Sequence, residues 1–205
     1  MKTTKKSEDD KEKERNTMAN VLIAYYSRKG QNYWNGSIKN LAKGNTEVVA
    51  EMIQKAVGGD LFEIETVKEY PVDYTECTEV AKEELRVQAR PELKAYPESI
   101  AEYDVIFLGY PCWWGTMPMG VYTFLEHFDF AGKKIVPFCT HEGSRMGGSV
   151  SQIKKTAPGA IVLAGLPVHG AEAVESEAAV VAWAKKSLSA EAGEAGFLKR
   201  TLHLG

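Results

Sequence analysis

Short, continuously apolar runs alternate along this chain with longer segments that carry apolar residues on one helical face. Continuous apolar runs bounded by turn residues are typical of strands that are buried on both faces of a sheet. The predicted strands are 21–26, 60–65, 104–109, 134–139 and 160–165. The predicted helices are about 44–57, 75–89, 118–128, 148–156 and 172–188. This alternation predicts an α/β fold, in which one doubly wound, five-stranded parallel sheet carries helices on both faces.

The first predicted strand runs into the polar segment 27–30, and a second polar segment, 44–47, opens the next helix. Ser27 and Thr46 offer hydroxyl donors and Asn45 offers an amide, which together with the amino end of a helix suit a phosphate monoester. The pattern is neither the P-loop of nucleoside triphosphatases nor the dinucleotide G-x-G-x-x-G motif. The alternative is an ordinary glycine turn followed by a helix N-cap at Asn45 or Thr46.

Two further strands are also followed by unusual loops. After the strand at 104–109 comes an aromatic loop, 110–118, which contains the adjacent pair Trp113 and Trp114. Packing alone explains such a pair poorly, because one ring can face the core while its neighbour points elsewhere. After the strand at 134–139 comes a glycine-rich loop, 141–149. All three loops follow parallel strands, so they converge at the edge where open α/β sheets bind ligands.

These three loops together resemble the FMN-binding loops of the flavodoxin family. The first loop reads Ser-x-x-Gly-Asn-Thr if residues 31–44 are removed. The resemblance spans residues 21–188 and implies the strand order 2-1-3-4-5, with FMN as the cofactor. It assigns the phosphate to the first loop, ring stacking to Trp113 or Trp114, and the pyrimidine edge to main-chain amides of the third loop. The implied FMN contacts are Ser27, Lys29, Gly44, Asn45, Thr46, Pro111, Cys112, Trp113, Trp114, Gly115, Thr140, His141, Glu142, Gly143 and Ser144.

The resemblance implies an electron carrier that shuttles electrons between redox partner proteins. The alternative is an FMN-dependent NAD(P)H:quinone or nitro-compound oxidoreductase, in which His141 and Tyr110 would hydrogen-bond or protonate the acceptor. A third class, a flavin-binding regulatory domain, is compatible with the same fold. No separate nicotinamide-binding motif is present, which favours the carrier. Glu142 is the one acid in the two flavin loops, unlike the acidic flavin surroundings of many flavodoxins, so a very low potential is not expected.

The composition of the chain indicates the class of protein and its cellular compartment. Hydrophobic residues make up 44% and charged residues 26% of the 205 positions, which is typical of one globular domain. The three cysteines are odd in number and lack metal-ligand spacing, which favours free thiols in a reducing cytoplasm. Cys112 is interpreted as a small packing residue, with a redox-active thiol as the alternative. The net charge of −3 and the absence of a basic stripe argue against nucleic acid as a partner.

Three segments lie outside this scheme. Residues 1–20 form a lysine- and acid-rich tract without an apolar run, predicted to be a disordered extension, neither a signal peptide nor a membrane anchor, with Met18 as a candidate start. Residues 189–205 are treated as a C-terminal tail. The insertion 31–43 carries apolar residues such as Tyr33 and Trp34, so we expect it to fold back. It would form either an Ω-loop or a flap over the phosphate and ribityl chain.

Overall fold

The computed structural model describes residues 19–201, so the predicted disorder up to residue 18, Met18 itself and the last four residues lie outside the described residues. The strands of the main sheet all run parallel. They are β1 (Val21–Tyr25), β4 (Asp60–Glu63), β5 (Val105–Pro111), β6 (Lys134–His141), β7 (Ile161–Val162) and β8 (Leu166–His169). The helices are α1 (Asn45–Val57), α2 (Tyr74–Arg86), α3 (Met119–His127), α4 (Ser149–Thr156) and α5 (Glu177–Thr201).

The sheet has the order β4-β1-β5-β6-β7, and β8 also pairs with β6. This is the predicted 2-1-3-4-5 order, with the fifth strand in two pieces. The predicted fifth strand, 160–165, breaks after Val162, where the side chain of Met146 lies against Gly165. The last helix starts later than predicted, because two 3₁₀ turns at Gly170–Glu172 and Val174–Ser176 precede it. Its backbone continues past residue 188, where the domain boundary was predicted.

Two apolar layers cover the two faces of the sheet. Alternate residues of β1 point to opposite faces of the sheet, so Leu22 belongs to one layer and Ile23 to the other. The first layer packs α3 and α4 against the sheet through residues such as Phe124 and Ile153, and the second packs α1 and α5 through residues such as Val180. Burial on both faces explains why the central strands are continuously apolar. No helix within the described residues is long and apolar enough to cross a membrane.

The insertion in the first loop is a β-hairpin. Its strands, β2 (Gly30–Trp34) and β3 (Ser37–Leu41), pair antiparallel with each other and form a separate two-stranded sheet. The turn residues Asn35 and Gly36 have φ values of 47° and 91°, which is the conformation of a type I′ hairpin turn. Of the two alternatives for the insertion, the Ω-loop is therefore wrong, because the two halves of the insertion form a regular ladder instead of packing irregularly.

Candidate functional site

The two halves of the first loop meet in space at the base of the hairpin. Gly30 pairs with Leu41, so the hairpin returns the chain to the point from which it left. At Gly44 a Cβ atom would collide with Ser27 Oγ and would lie 2.7 Å from the carbonyl oxygen of Arg28. Only glycine allows this close approach. The structure therefore joins the segments that the Ser-x-x-Gly-Asn-Thr comparison joined in sequence.

Hydroxyl groups surround the amino end of α1. Ser27 Oγ accepts the Glu47 backbone N–H at 3.1 Å, which leaves the hydroxyl proton of Ser27 available for a ligand. Gly44, at the N-cap, provides no side-chain cap for the helix. The buried hydroxyls of Thr46 and Thr140 lie 2.7 Å apart, linking the first loop to the end of β6. Hydroxyl donors at a helix amino terminus can bind an anion.

The two tryptophans of the aromatic loop point in different directions. Trp113 packs edge-on against Tyr26 and Tyr70, with ring centroids 5.4 and 5.0 Å away. Trp114 is 50% exposed, has a φ of 51°, and donates from Nε1 to the carbonyl oxygen of Thr78 in α2 at 2.9 Å. One ring thus faces the core and the other lies across a surface cleft, as predicted for the pair.

The aromatic and glycine-rich loops are tied together through their backbones. The Gly148 N–H donates to the Gly115 carbonyl oxygen at 2.8 Å, and the Cys112 N–H donates to the Thr140 carbonyl oxygen at 2.8 Å. The glycine-rich loop itself is braced by a Gly143 N–H donated to His141 Nδ1 at 2.9 Å. Because Nδ1 accepts, a neutral His141 carries its proton on Nε2. Burial, aided by nearby cationic groups, lowers the pKa of His141 and favours this neutral form.

Glu142 lies where the hairpin reaches the glycine-rich loop. Its Oε2 accepts the Asn35 backbone N–H at 3.2 Å and lies 3.7 Å from His169 Nε2. Its Oε1 is buried and has no hydrogen-bond partner among the described residues. A Cβ at Gly170 would be close to both this oxygen and the amide nitrogen of Asn45. The carboxylate therefore borders the first loop, and the hairpin turn contacts the third.

Two cavities that share five lining residues run between the three loops. The smaller, about 100 Å³, lies at the first loop, and the larger, about 430 Å³, lies beside the tryptophans. The shared walls are Arg28, Asn32, Tyr74, Cys112 and Trp113. The smaller cavity is also lined by Tyr33, Asn45, Thr46, Pro111, Thr140, His141, Glu142 and Gly170. The larger is also lined by Cys77, Thr78, Ala81, Trp114, Gly115 and Ser144.

Most of the predicted site residues line these cavities, and four do not. Ser27 lines a separate cleft with Lys29, Gly44 lies against Ser27 and Arg28 in the first loop, and the Gly143 N–H donates to His141 Nδ1. Lys29 is exposed and lines a different cleft, together with Glu63. Tyr110, a candidate proton donor, is fully buried and donates to Ser149 Oγ at 2.8 Å. Burial raises its pKa, so the expected role for Tyr110 as an acid is not supported.

Several lining residues were missed from the sequence. Arg28 is the main one, because it places a cation in both cavities. Its guanidinium donates to the carbonyl oxygens of Pro71 and Val72 at 2.9 Å and to that of Gln31 at 3.1 Å. Its position inside the Ser-x-x-Gly segment was a usable signal. Other missed residues come from the hairpin and from α2, whose placement over the site carries no local sequence signal.

Convergent loops at the carboxyl edge of a parallel sheet, with a helix amino terminus among them, define a cofactor-binding α/β protein of the doubly wound class. The family model for flavodoxin matches residues 37–187, and the chain belongs to this family. The match begins inside the hairpin, so β1 and Ser27 lie outside it. No curated protein shows significant similarity to the chain.

Solved structures agree with this assignment. A flavoprotein from Bacteroides eggerthii is 31% identical, with a TM-score of 0.65 over 83% of this chain and 98% of that one. A flavoprotein from Bacteroides uniformis is 29% identical, with a TM-score of 0.65 over 82% of this chain and 99% of that one. A flavoprotein from Lactobacillus acidophilus in complex with FMN is 21% identical, with a TM-score of 0.56 over 78% of this chain and 99% of that one.

Proposed function

We propose that this protein binds FMN and transfers electrons between redox partner proteins. The observation that carries the proposal is that the three loops line two cavities with shared walls, whose narrow end lies at the phosphate-type loop. Membership in the flavodoxin family supports FMN as the cofactor. The FMN complex of the Lactobacillus acidophilus protein, which has the same fold, agrees with this choice.

The residues of the narrow end suit the phosphate group. One proton of the Thr46 and Thr140 pair, the side-chain amide of Asn45 and the amino end of α1 are available as donors. The cation of Arg28 lines the same space and adds attraction for a dianion. A cavity of about 430 Å³ beside this end is within the range of small-cofactor sites. One anion site without a second pyrophosphate loop favours FMN over FAD.

The wide end suits a flat aromatic ring. Trp113 forms a fixed wall, because Tyr26 and Tyr70 hold it on the core side. Trp114 forms a half-exposed wall held by two contacts from α2: its hydrogen bond to Thr78 and the Lys82 ammonium, 5.2 Å from the ring centroid. When bound, FMN supplies the redox chemistry, and the protein's residues orient it and restrict water. A half-exposed aromatic at the cavity edge leaves a short route to a partner's surface, as a carrier requires.

The charges of the site favour a moderate reduction potential. Arg28 stabilises negative charge added to a group in the cavity, whereas Glu142 destabilises it. The two charges oppose each other across the same space. We therefore expect a potential that is not strongly lowered by the protein.

A second candidate function is an FMN-dependent reductase of quinones or nitro compounds. The larger cavity extends past the three loops along α2, where Cys77, Thr78 and Ala81 line it, and this extension could hold a small flat acceptor. The Nε2 proton of a neutral His141 is the candidate donor to such an acceptor.

One set of measurements on the purified protein separates the candidates. We expect yellow protein after incubation with FMN, release of FMN and not FAD on denaturation, and two resolved one-electron steps in a redox titration. Slow oxidation of NADH and NADPH in the presence of quinones is expected without a partner reductase. A protein that stays colourless with FMN would contradict cofactor binding. Fast turnover with NADH or NADPH alone would replace the carrier with the reductase.

The partners and the location follow from the same proposal. The partners are redox proteins that donate to and accept from the flavin, with neither nucleic acid nor membrane required. The cytoplasm is the proposed location, because all three cysteines are free thiols and such thiols persist in reducing compartments.

A further inference from the structure

A cluster of three aromatic rings separates the two cavities of the candidate site from another cleft. Trp113 lines both cavities. Tyr26 and Tyr70 instead line a cleft of about 390 Å³ to which Lys29 also belongs, called here the Lys29 cleft. The ring centroid of Trp113 lies 5.0 Å from that of Tyr70 and 5.4 Å from that of Tyr26. The rings therefore form a continuous contact between the cavity wall and the Lys29 cleft.

The hydroxyl of Tyr70 is paired with a carboxylate. It donates a hydrogen bond to Glu84 Oε2 at 2.5 Å, and Glu84 lies in α2. Both residues are partly buried. Burial raises the pKa of Glu84, against the opposing effects of the Tyr70 hydrogen bond and of Lys68. A carboxylate with a raised pKa is a stronger base, so Glu84 can accept the Tyr70 proton directly.

Tyr26 provides an internal comparison. Its ring is nearly as close to Trp113 as that of Tyr70, and it is only 6% exposed. Its hydroxyl makes no hydrogen bond to a carboxylate in the part of the chain that the structure describes. A tyrosine that loses an electron becomes a strong acid, so its oxidation needs an acceptor for the hydroxyl proton. Tyr70 has this acceptor, and Tyr26 lacks it.

We propose that Tyr70 is a redox-active tyrosine that reduces an oxidised Trp113, with Glu84 as the proton acceptor. A one-electron oxidant in the cavities, such as a photoexcited flavin, first takes one electron from the Trp113 indole. Tyr70 then gives one electron to the indole through the ring contact, while its hydroxyl proton moves to the Glu84 carboxylate. The products are a neutral indole, a phenoxyl radical on Tyr70 and a carboxylic acid on Glu84.

The opening of the Lys29 cleft beside Tyr70 allows the cycle to close. A small reductant, such as a thiol, can reach Tyr70 there and give it one electron, while Glu84 returns the proton. The oxidising equivalent thus leaves the cavity, and Trp113 is preserved as its wall. The transfer among these three residues needs no flavin. Only its use with FMN rests on the proposed function.

The first test oxidises the flavin-free, full-length protein with azide radicals from pulse radiolysis, which attack tryptophan in preference to other side chains. The absorption of the indolyl radical should decay while that of a phenoxyl radical rises, at a rate independent of protein concentration. Tyr70→Phe keeps the ring but should remove this phase, and Trp113→Phe should remove it as well. Tyr26→Phe is the matched control and should retain it. A phase that survives in Tyr70→Phe or in Trp113→Phe would overturn the proposal.

The second test concerns the proton. Glu84→Gln keeps the size of the side chain but cannot take up the proton, so it should slow the transfer several-fold. Glu83→Gln is the matched control, because Glu83 is exposed on the same helix and pairs with Arg86 instead. Its rate should equal that of the wild type. Equal rates in Glu84→Gln and the wild type would overturn the role of Glu84.

The third test introduces the cofactor. Blue light on the FMN-loaded protein should produce the phenoxyl radical, detected by electron paramagnetic resonance, and Tyr70→Phe should abolish it. A protein that binds no FMN but keeps the azide-driven transfer would support the three-residue path and refute the proposed FMN site. A protein that binds FMN but shows no change in either radical signal in Tyr70→Phe would do the reverse.

Discussion

The hydroxyl pair between Thr46 and Thr140 allows the phosphate site to be tested with a single substitution. The two oxygens lie 2.7 Å apart, and the residues are only 1% and 4% exposed. Thr46→Val keeps the side-chain shape but leaves the Thr140 hydroxyl buried without its partner. A buried hydroxyl without a hydrogen-bond partner lowers the free energy of unfolding by about 1–3 kcal/mol. We therefore expect the free energy of unfolding in urea to fall by about this amount.

The same substitution should weaken FMN binding by about 1–3 kcal/mol, because a charge-assisted hydrogen bond to phosphate is lost. Riboflavin, which lacks the phosphate, provides the control. Its affinity should change little, whereas the dissociation constant of FMN should rise. Titration by quenching of flavin fluorescence measures both. Ser27→Ala tests the other hydroxyl of the first loop. Because Ser27 lines a separate cleft, an FMN affinity unchanged by this substitution would remove Ser27 from the predicted phosphate contacts.

A double substitution separates the effect on protein stability from the effect on FMN affinity. Thr46→Val with Thr140→Val removes both hydroxyls, so neither is left unsatisfied, and stability should recover relative to Thr46→Val alone. FMN affinity should not recover. If Thr46→Val weakened riboflavin as much as FMN, or if the double variant regained FMN affinity, the threonines would be structural and the phosphate assignment would be refuted.

Three further predictions concern the other loops. Trp113→Ala should lower the free energy of unfolding by about 3 kcal/mol, while Trp114→Ala should change flavin affinity instead; equal effects on both properties would contradict their division of roles. The pKa of His141 is lowered in the folded state, so its contribution to stability is present above pH 6.5 and is lost as the pH falls through the folded-state pKa. His141→Asn should therefore make the free energy of unfolding depend less on pH on the acid side. Glu142→Gln should tighten FMN binding, because it removes a negative charge and keeps an acceptor for the Asn35 N–H. Glu142→Ala also removes that acceptor, so it should speed FMN release. Unchanged dissociation rates would refute a role for the Asn35 contact in holding FMN.

The sheet could be predicted from the sequence because its central strands are buried on both faces. All of β1 is buried, as is β5 up to Tyr110, so the apolar run is unbroken and its ends are sharp. The hairpin was not predicted, although Asn35-Gly36 between two five-residue segments is a known hairpin signal. Exposed strands with mixed polar residues produce no such run. The break in the fifth strand was also not predicted, and the Met146 side chain that lies against Gly165 comes from a distant loop.

The candidate site was predicted in part for a related reason. Thr140 lies at the carboxyl end of β6 and Thr46 opens the helix that follows β1, so topology brings both to the same edge of the sheet. The residues from α2 could not be found, since Tyr74 and Thr78 reach the site only through the packing of a helix on the loops. The division of the tryptophan pair was predicted, but which ring faces the core depends on Tyr26 and Tyr70.

The hairpin gives the first loop a property that an uninterrupted phosphate loop lacks. One of its strands contributes Asn32 and Tyr33 to the wall of the smaller cavity, which is compatible with the flap alternative. It is held by separate weak contacts: Gln31 Oε1 accepts the Tyr74 N–H at 2.9 Å, and Glu142 accepts the Asn35 N–H at 3.2 Å. Each contributes about 1 kcal/mol. We expect the base of the hairpin to stay fixed, because Gly30 pairs with Leu41 there and Asn32 Nδ2 donates to the Arg28 carbonyl oxygen at 3.0 Å.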